Sequence, residues 1–142
     1  MKAARALPFP FVLTARAESL INGHTALADT IRRLQAFAEA GADVLYAPGL
    51  RSRDDIASVV KAVAPKPVNV IMGLSGACFS LAELEAIGVK RVSIGSALAR
   101  AAYGAFLAAS REIRDRGTFA FADHAAPYAD LNAMFRRPGT SR

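Results

Sequence analysis

Arg16 carries the clearest chemical signal in the sequence, because it directly follows a short apolar segment at residues 9–15. A planar guanidinium in that position suits a carboxylate or phosphate, which it can bind through two hydrogen bonds. Thr14, Arg16 and Glu18 are spaced by two, so an extended backbone would point all three to one side. The alternative is a structural ion pair of Arg16 with Glu18 or with Asp43. Glu18 would then be either that partner or a metal ligand acting through a water molecule.

Gly95 and Ser96 form a second candidate for binding an anion. They follow a predicted strand and begin a predicted helix, where free backbone N–H groups and the helix dipole attract negative charge. The alternative is an ordinary tight turn between strand and helix. Further polar residues near predicted strand ends are Tyr46, Arg51, Arg53, Asn69, Ser75, Ser93 and Arg100.

Other reactive residue types lack the neighbours that catalysis needs. His24 lies in a polar loop, His124 lies just before the last predicted helix, and Cys78 has no basic neighbour that would favour its thiolate. No cluster of His, Asp and Glu has the spacing of metal ligands, and no nucleophile elbow is present. These residues therefore predict an anion-binding rim without a complete catalytic set.

The elements that position these residues alternate between strand and helix. Apolar, β-prone segments predict strands at residues 9–15, 43–47, 68–72 and 91–94. Helical spacing and capping residues predict helices at 25–40, from 52, from 80, at 96–116 and at 128–135, with Thr25, Ser52 and Ser80 as N-caps. Such alternation predicts a parallel sheet with right-handed crossovers.

The number of strand–helix units points to half of a (β/α)8 barrel. Eight such units need about 250 residues, and this chain of 142 residues has four. The alternative is a small open doubly wound sheet, but the glycine-rich loop typical of nucleotide-binding sheets is missing after the first strand. We therefore predict one domain over residues 1–142, a half-barrel with a C-terminal tail helix.

Composition narrows the classes of function. The chain is 53% hydrophobic and 21% charged, which excludes disorder, and its net charge of +6 suits small anionic ligands. The sequence has no nucleic-acid-binding signature and no apolar run that could span a bilayer. The N-terminus is a poor signal peptide, and Cys78 is the only cysteine. We therefore expect a cytoplasmic protein with no nucleic-acid or membrane partner.

Longer stretches of the chain resemble a known family, the isocitrate lyase/phosphoenolpyruvate mutase superfamily. The resemblance lies in FVLTARAE, AGADVLYAPGL, KPVNVIMG, ELEAIGVKRVSIGSALARAAYGAF, GTFAF and PYADLNAMF, and it covers nearly the whole chain. It implies the second half of the barrel, strands five to eight. It also implies a Mg2+-dependent lyase or mutase that acts on C–C or P–C bonds of small 2-oxo or 2-hydroxy acids through an enolate.

The resemblance also implies roles for two residues. Arg16 matches the family arginine that holds the substrate carboxylate or the enolate oxygen, and Glu18 matches the acidic residue that supports the metal site. The metal-binding aspartates and the cysteine-bearing catalytic loop of the family precede strand five. Cys78 follows strand seven and does not replace that loop.

Two departures from the family pattern leave the substrate open. Many lyases of the family have a glutamate after strand six, where this chain has Ala47, Pro48 and Gly49. Many have an asparagine ending strand seven, where this chain has Met72 and Gly73. We expect either an incomplete enzyme that needs a complementary half-barrel or a homo-oligomer, or a non-catalytic anion-binding module. A third reading is half of a sugar-phosphate barrel that uses Gly95 and Ser96.

Overall fold

The computed structural model describes residues 2–23, 26–73 and 78–136 of the chain. The chain divides into two compact units, Met1–Ala97 and Leu98–Arg142. His24, Thr25 and Ser75, which the sequence analysis named as a loop residue, a helix cap and a strand-end residue, lie outside the described residues.

The first unit alternates short strands with helices, as the sequence predicts. In chain order its elements are α1 (Lys2–Arg5), β1 (Thr14–Arg16), α2 (Leu27–Glu39), β2 (Val44–Tyr46), α3 (Arg53–Ala62), β3 (Val68–Ile71), α4 (Leu81–Ala86) and β4 (Arg91–Ser93). The four strands form one parallel sheet in the order β1-β2-β3-β4. The predicted parallel α/β architecture is therefore confirmed.

The register of the sheet aligns one residue from each strand. Arg16 on β1 pairs with Tyr46 on β2, Tyr46 pairs with Asn69 on β3, and Asn69 pairs with Arg91 on β4. Paired residues of a parallel sheet point to the same side, and the residues before and after them point to the other. One row of four side chains therefore crosses the whole sheet.

The hydrophobic core lies on one side of this sheet only. Leu45, Val68 and Val70 belong to a buried cluster with side chains from the helices. The helix residues with the least exposure in that cluster are Leu34 on α2, Ile56 and Val59 on α3, and Leu84 on α4. We call the opposite side, which carries Arg16, Tyr46, Asn69, Arg91 and Ser93, the polar face.

Capping side chains fix two helix starts that the sequence predicts. Ser52 accepts a hydrogen bond from the Asp55 N–H at 3.0 Å. Ser80 forms a reciprocal capping box with Glu83, and the bonds that the Ser80 N–H and hydroxyl donate to the Glu83 carboxylate lower the pKa of Glu83. Each cap satisfies N–H groups that a helix leaves without an internal partner.

The first strand is shorter than the sequence predicts. Only Thr14–Arg16 forms β1, whereas residues 9–13 lie outside any strand, and Phe9 and Val12 are exposed. Pro8 and Pro10 explain part of the difference, because neither has a backbone N–H to donate to a sheet.

The second unit is helical. Helix α5 (Ala97–Arg116) begins at the last residue of the first unit, and a 3-10 helix (Ala120–His124) and α6 (Tyr128–Met134) follow. The carboxylate of Glu112 accepts hydrogen bonds from the Thr118 hydroxyl and the Ala120 N–H, both at 2.7 Å. Among the helices that the structure describes, none has the length and apolar character needed to cross a membrane.

Candidate functional site

Arg16 ends β1 on the polar face and is held there by two neighbours. Its Nε lies 2.6 Å from Oε1 of Glu18. Its Cζ lies 5.2 Å from the centre of the Tyr46 ring, within the range of a cation–π contact. The Tyr46 residue is only 8% exposed, whereas the Arg16 side chain is 46% exposed. A buried ring and a carboxylate therefore orient the guanidinium of a side chain that is about half exposed.

Two ion pairs were considered for Arg16. The pair with Glu18 is present, whereas the predicted pair with Asp43 is wrong, because Asp43 binds Arg5. Asp43 instead accepts from Arg5 at 2.7 Å and from the Leu13 N–H at 2.8 Å. These two bonds, the Arg5 bond foremost, hold the pKa of Asp43 below its usual range. Asp43 therefore ties α1 and the segment before β1 to the start of β2.

A second polar arrangement lies on the same face, on β3 and β4. Asn69 is fully buried, and its side-chain amide donates to the Ser93 hydroxyl at 3.0 Å. Its carbonyl oxygen accepts from the guanidinium of Arg91 at 2.9 Å. The Ser93 hydroxyl also lies 3.3 Å from the Val70 carbonyl oxygen. Asn69 and Ser93 are among the candidates predicted from the sequence, but Arg91 is not, because its only signal is a charged residue at the start of an apolar strand.

Gly95 and Ser96 form the turn after β4, and α5 begins at Ala97. Gly95 has a φ of +51°, and a Cβ there would lie 3.3 Å from the side chain of Ile71. A glycine suits both the backbone angle and the close approach. The turn is at the opposite edge of the sheet from Arg16, since β4 and β1 are the two outer strands.

The remaining sequence candidates do not join the Arg16 group in the described hydrogen bonds and ion pairs. Met72 is buried in the core, and Gly73 has a φ of +80°. Cys78 is a free, exposed cysteine, and His124 is exposed at the end of the 3-10 helix. The strand-end residues Arg51, Arg53 and Arg100 are exposed as well.

Carboxylates near Arg16 are too few to bind a metal ion in the part of the chain that the structure describes. Within the described ranges, no group of three or more His, Cys, Asp or Glu side chains is placed to hold a metal ion. Glu18 offers one carboxylate, and one of its oxygens is engaged by Arg16. Mg2+ prefers several oxygen ligands in octahedral geometry. The described residues therefore do not form a magnesium site by themselves.

These contacts define what the site can do chemically. A half-exposed guanidinium at the carboxyl end of a parallel strand can bind a carboxylate, or an oxygen that gains negative charge during a reaction. Ligand sites of parallel α/β proteins lie at this end of the strands. The site has a charge-binding element but lacks, among the described side chains, a partner for acid–base or metal chemistry.

The chain is similar to a known protein family. A family model described as phosphoenolpyruvate phosphomutase matches residues 1–114. An uncharacterized protein of Mycobacterium tuberculosis (strain ATCC 25618 / H37Rv) is 32% identical over 112 residues, which are 78% of this chain and 40% of that protein.

Solved structures share the fold. A candidate lyase/mutase from Burkholderia cenocepacia J2315 is 59% identical with a TM-score of 0.90, over 96% of this chain and 49% of that one. Oxaloacetate acetylhydrolase, solved with its product oxalate, is 28% identical with a TM-score of 0.77, over 92% and 45% of the two chains. For 2,3-dimethylmalate lyase the identity is 24% and the TM-score 0.76, which shows the fold alone. This chain thus spans half or less of these relatives.

Proposed function

The chain belongs to the phosphoenolpyruvate phosphomutase family, within the phosphoenolpyruvate mutase/isocitrate lyase superfamily, and from that premise we propose that it supplies the acid-binding part of a lyase or mutase active site. The four strands would be strands five to eight of a (β/α)8 barrel, with the polar face turned towards the barrel interior. The substrate would be a small 2-oxo or 2-hydroxy acid, cleaved or rearranged through an enolate.

One observation carries this proposal: Arg16 presents a half-exposed guanidinium at the carboxyl end of β1, fixed by Glu18 and by the Tyr46 ring. In this position Arg16 would bind the substrate carboxylate and, as the bond breaks, stabilise the enolate oxygen through charged hydrogen bonds. Donors aimed at developing charge are often the largest single contribution to catalysis. The oriented guanidinium does not need to reorganise when the charge forms.

The proposal includes Mg2+, which would supply a Lewis acid at the oxygens that gain charge. The described residues do not fit a complete site for it, since Glu18 is the one carboxylate beside Arg16 and is already paired. Other ligands of the metal would have to come from residues beyond those that the structure describes. We therefore assign no step through the metal to these side chains, and limit Glu18 to orienting Arg16 and to an indirect contact through water.

A second candidate function follows from the lack of a complete Mg2+ site among the described residues. The chain would be a non-catalytic module that binds a small anion at Arg16 without a metal. The two functions share Arg16 and differ in whether Mg2+ strengthens binding. A sugar-phosphate site at Gly95 and Ser96 is a third and weaker candidate, because their geometry is fully accounted for by the turn.

Oxalate, a planar dicarboxylate that mimics an enolate, is the probe for these alternatives. We expect calorimetric titration to show oxalate binding that Arg16→Gln weakens at least about tenfold, the loss expected for a charged hydrogen-bond donor. Arg32→Gln removes an exposed arginine that pairs with Asp29 and should leave oxalate affinity unchanged. Binding that increases with Mg2+ supports the lyase or mutase, whereas metal-independent binding supports the module.

Two results would contradict the proposal. Oxalate affinity equal in Arg16→Gln and the unmutated chain would remove Arg16 from the site. Stronger binding of glycerol phosphate than of oxalate would favour the sugar-phosphate reading. For the first result, circular dichroism must first show that Arg16→Gln retains its helices.

A further inference from the structure

The loop after β1 carries the carboxylate of Glu18, and the loop is fixed on both sides of that residue. On one side Ala17 is buried, and its N–H donates to the C=O of Tyr46 at 2.9 Å. On the other side the hydroxyl of Ser19 lies 2.9 Å from the hydroxyl of Thr30 on α2, and the two share a hydrogen bond. The Glu18 side chain is half exposed, so its position depends on these two neighbours.

Thr30 is a polar residue at a core position of α2. It is fully buried, and it lies on the same face as Leu34, the other buried residue of that helix. A buried hydroxyl is unfavourable unless it has a hydrogen-bond partner, which Ser19 supplies. Valine has nearly the same shape and would fill the same space without a polar group. Packing therefore does not explain the threonine, whereas the bond to the loop does.

A second contact holds the same loop from the side of β2. Gly49 has a φ of +97°, and a Cβ there would lie 3.0 Å from the Cβ of Leu20 and 3.2 Å from the backbone nitrogen of Ile21. These neighbours would have to move, and one of them is backbone. A glycine at this position therefore lets the loop pack directly against the residues that follow β2.

The position of Glu18 determines what Arg16 offers to an anion. Their contact of 2.6 Å orients the guanidinium and also places a competing negative charge on it. Two long side chains that are about half exposed lose conformational entropy when they pair, so an exposed pair is weak by itself. A fixed backbone on both sides of the carboxylate lowers that cost and keeps the pair formed.

We propose that Thr30 and Ser19 are positioning residues for the anion site. Their hydrogen bond holds the loop so that Glu18 stays against Arg16, and the core of the first unit thereby sets how tightly Arg16 binds an anion. The proposal rests on the proposed function in one respect, that Arg16 binds the substrate acid. Thr30 and Ser19 act only through Glu18.

Oxalate titration of hydroxyl variants tests this role. We expect Thr30→Val to bind oxalate at least about 2-fold more tightly than the unmutated chain without Mg2+, with about 5-fold as the limit for losing an exposed ion pair. Adding Glu18→Gln to Thr30→Val should then gain only about 2-fold, because only long-range charge repulsion is left to remove. Thr30→Ser keeps a hydroxyl and should bind oxalate like the unmutated chain.

Nuclear magnetic resonance follows the contact without any ligand. The order parameter of the Arg16 Nε–H bond reports how firmly the guanidinium is held, and its signal is identified by its absence from Arg16→Gln. In Thr30→Val this order parameter should fall, towards the values below about 0.6 that mark flexible groups. Ser80→Ala is the matched control, since it removes a hydroxyl that caps α4 and should change neither the order parameter nor oxalate affinity.

Two glycine variants test the second contact. Gly49→Ala should displace the loop and lower the Arg16 order parameter. Gly23→Ala adds the same Cβ at a φ of +82°, where no atom of the described residues lies within 4 Å, and should leave the order parameter unchanged. The difference between the two variants separates the loop contact from backbone strain.

The positioning role and the acid site fail on different results. An unchanged order parameter and unchanged oxalate affinity in folded Thr30→Val would overturn the positioning role, even where Arg16→Gln abolishes oxalate binding. A lower order parameter in a chain that binds no oxalate would support the positioning role and refute only the acid site. Ser19→Ala removes the same hydrogen bond from the loop side and decides the question by the same measurements if Thr30→Val does not fold.

Discussion

Replacing Glu18 by Gln is expected to tighten oxalate binding at Arg16 when no Mg2+ is present. The Glu18 carboxylate lies 2.6 Å from the Arg16 guanidinium and competes with any anion for it. Glutamine has nearly the same shape but no charge, and its amide oxygen can still accept from the Arg16 Nε, so the variant removes the competing charge while Arg16 stays oriented.

The size of the effect follows from the exposure of the pair. The side chains of Arg16 and Glu18 are 46% and 49% exposed, so solvent screens their attraction. An exposed ion pair contributes about 0.2–1 kcal/mol, which converts to about 1.5- to 5-fold in affinity. Removing the negative charge also lessens its repulsion of oxalate, by roughly a further 2-fold at low ionic strength. We therefore expect oxalate to bind about 3- to 10-fold more tightly.

Magnesium reverses the sign of this prediction if Glu18 supports a metal. With Mg2+ present, Glu18→Gln should then lose any metal-dependent gain in oxalate affinity. Glu39→Gln is the matched control, because it makes the same chemical change at an exposed position on α2. Titration calorimetry at low salt, with and without Mg2+, compares the unmutated chain with both variants. Unchanged or weaker oxalate binding by folded Glu18→Gln without Mg2+ would refute the view that Glu18 occupies Arg16.

Three further predictions concern the ring beneath the arginine, an acid-sensitive contact and a helix cap. Tyr46→Leu should weaken oxalate binding about 2- to 5-fold in calorimetry, since it removes a cation–π contact with Arg16 worth about 0.5–1 kcal/mol. Tyr46→Phe keeps the ring and should bind oxalate like the unmutated chain. Equal losses of affinity in both variants would exclude the contact. Asp43 has a folded-state pKa below its ordinary value because it binds Arg5. Its contribution to the free energy of unfolding is therefore present above the ordinary pKa and is lost as the pH falls through the folded-state pKa. Urea titrations of Asp43→Asn should show less destabilisation by acid than the unmutated chain, and an unchanged pH profile would contradict this. Ser80→Ala should lower the free energy of unfolding by about 1 kcal/mol in the same titrations, and no change would mean that the capping box is dispensable.

The parts of the fold that depend on local signals could be predicted from the sequence. Ser52 and Ser80 cap helices as expected, because capping depends on residues within one turn. The alternation of apolar segments with helices predicted four parallel strands, because the periodicity of each segment is also a local signal. The first strand was too long in the prediction, since residues 9–13 have strand-forming side chains but lie outside the paired part of the sheet.

The partners of the charged residues could be predicted only where they are close in sequence. Glu18 was one of two partners considered for Arg16, and it is two residues away. Asp43 was the other, but Arg5 binds it from a short helix that no sequence pattern indicated. Which of several arginines reaches a given carboxylate depends on tertiary placement, and composition and spacing do not contain that information.

The role of Arg91 depends on the register of β3 and β4. A shift of one residue would turn Asn69 into the hydrophobic core and leave Arg91 without its acceptor. The sequence places Asn69 in β3 and Arg91 and Ser93 in β4 but does not align them. The contact between them is thus a product of strand pairing.

The two arginines of the polar face are prepared for different partners. Arg16 is bound to a charged group, Glu18, so an arriving anion must compete with it and binding can be tuned by that carboxylate. Arg91 is bound to a neutral and fully buried group, Asn69, so an arriving carboxylate adds to the network without displacing a charge. The first arrangement suits a ligand that must bind and leave, as a substrate does. The second joins β3 to β4 within the sheet, which is why we assign the small acid to Arg16 and not to Arg91.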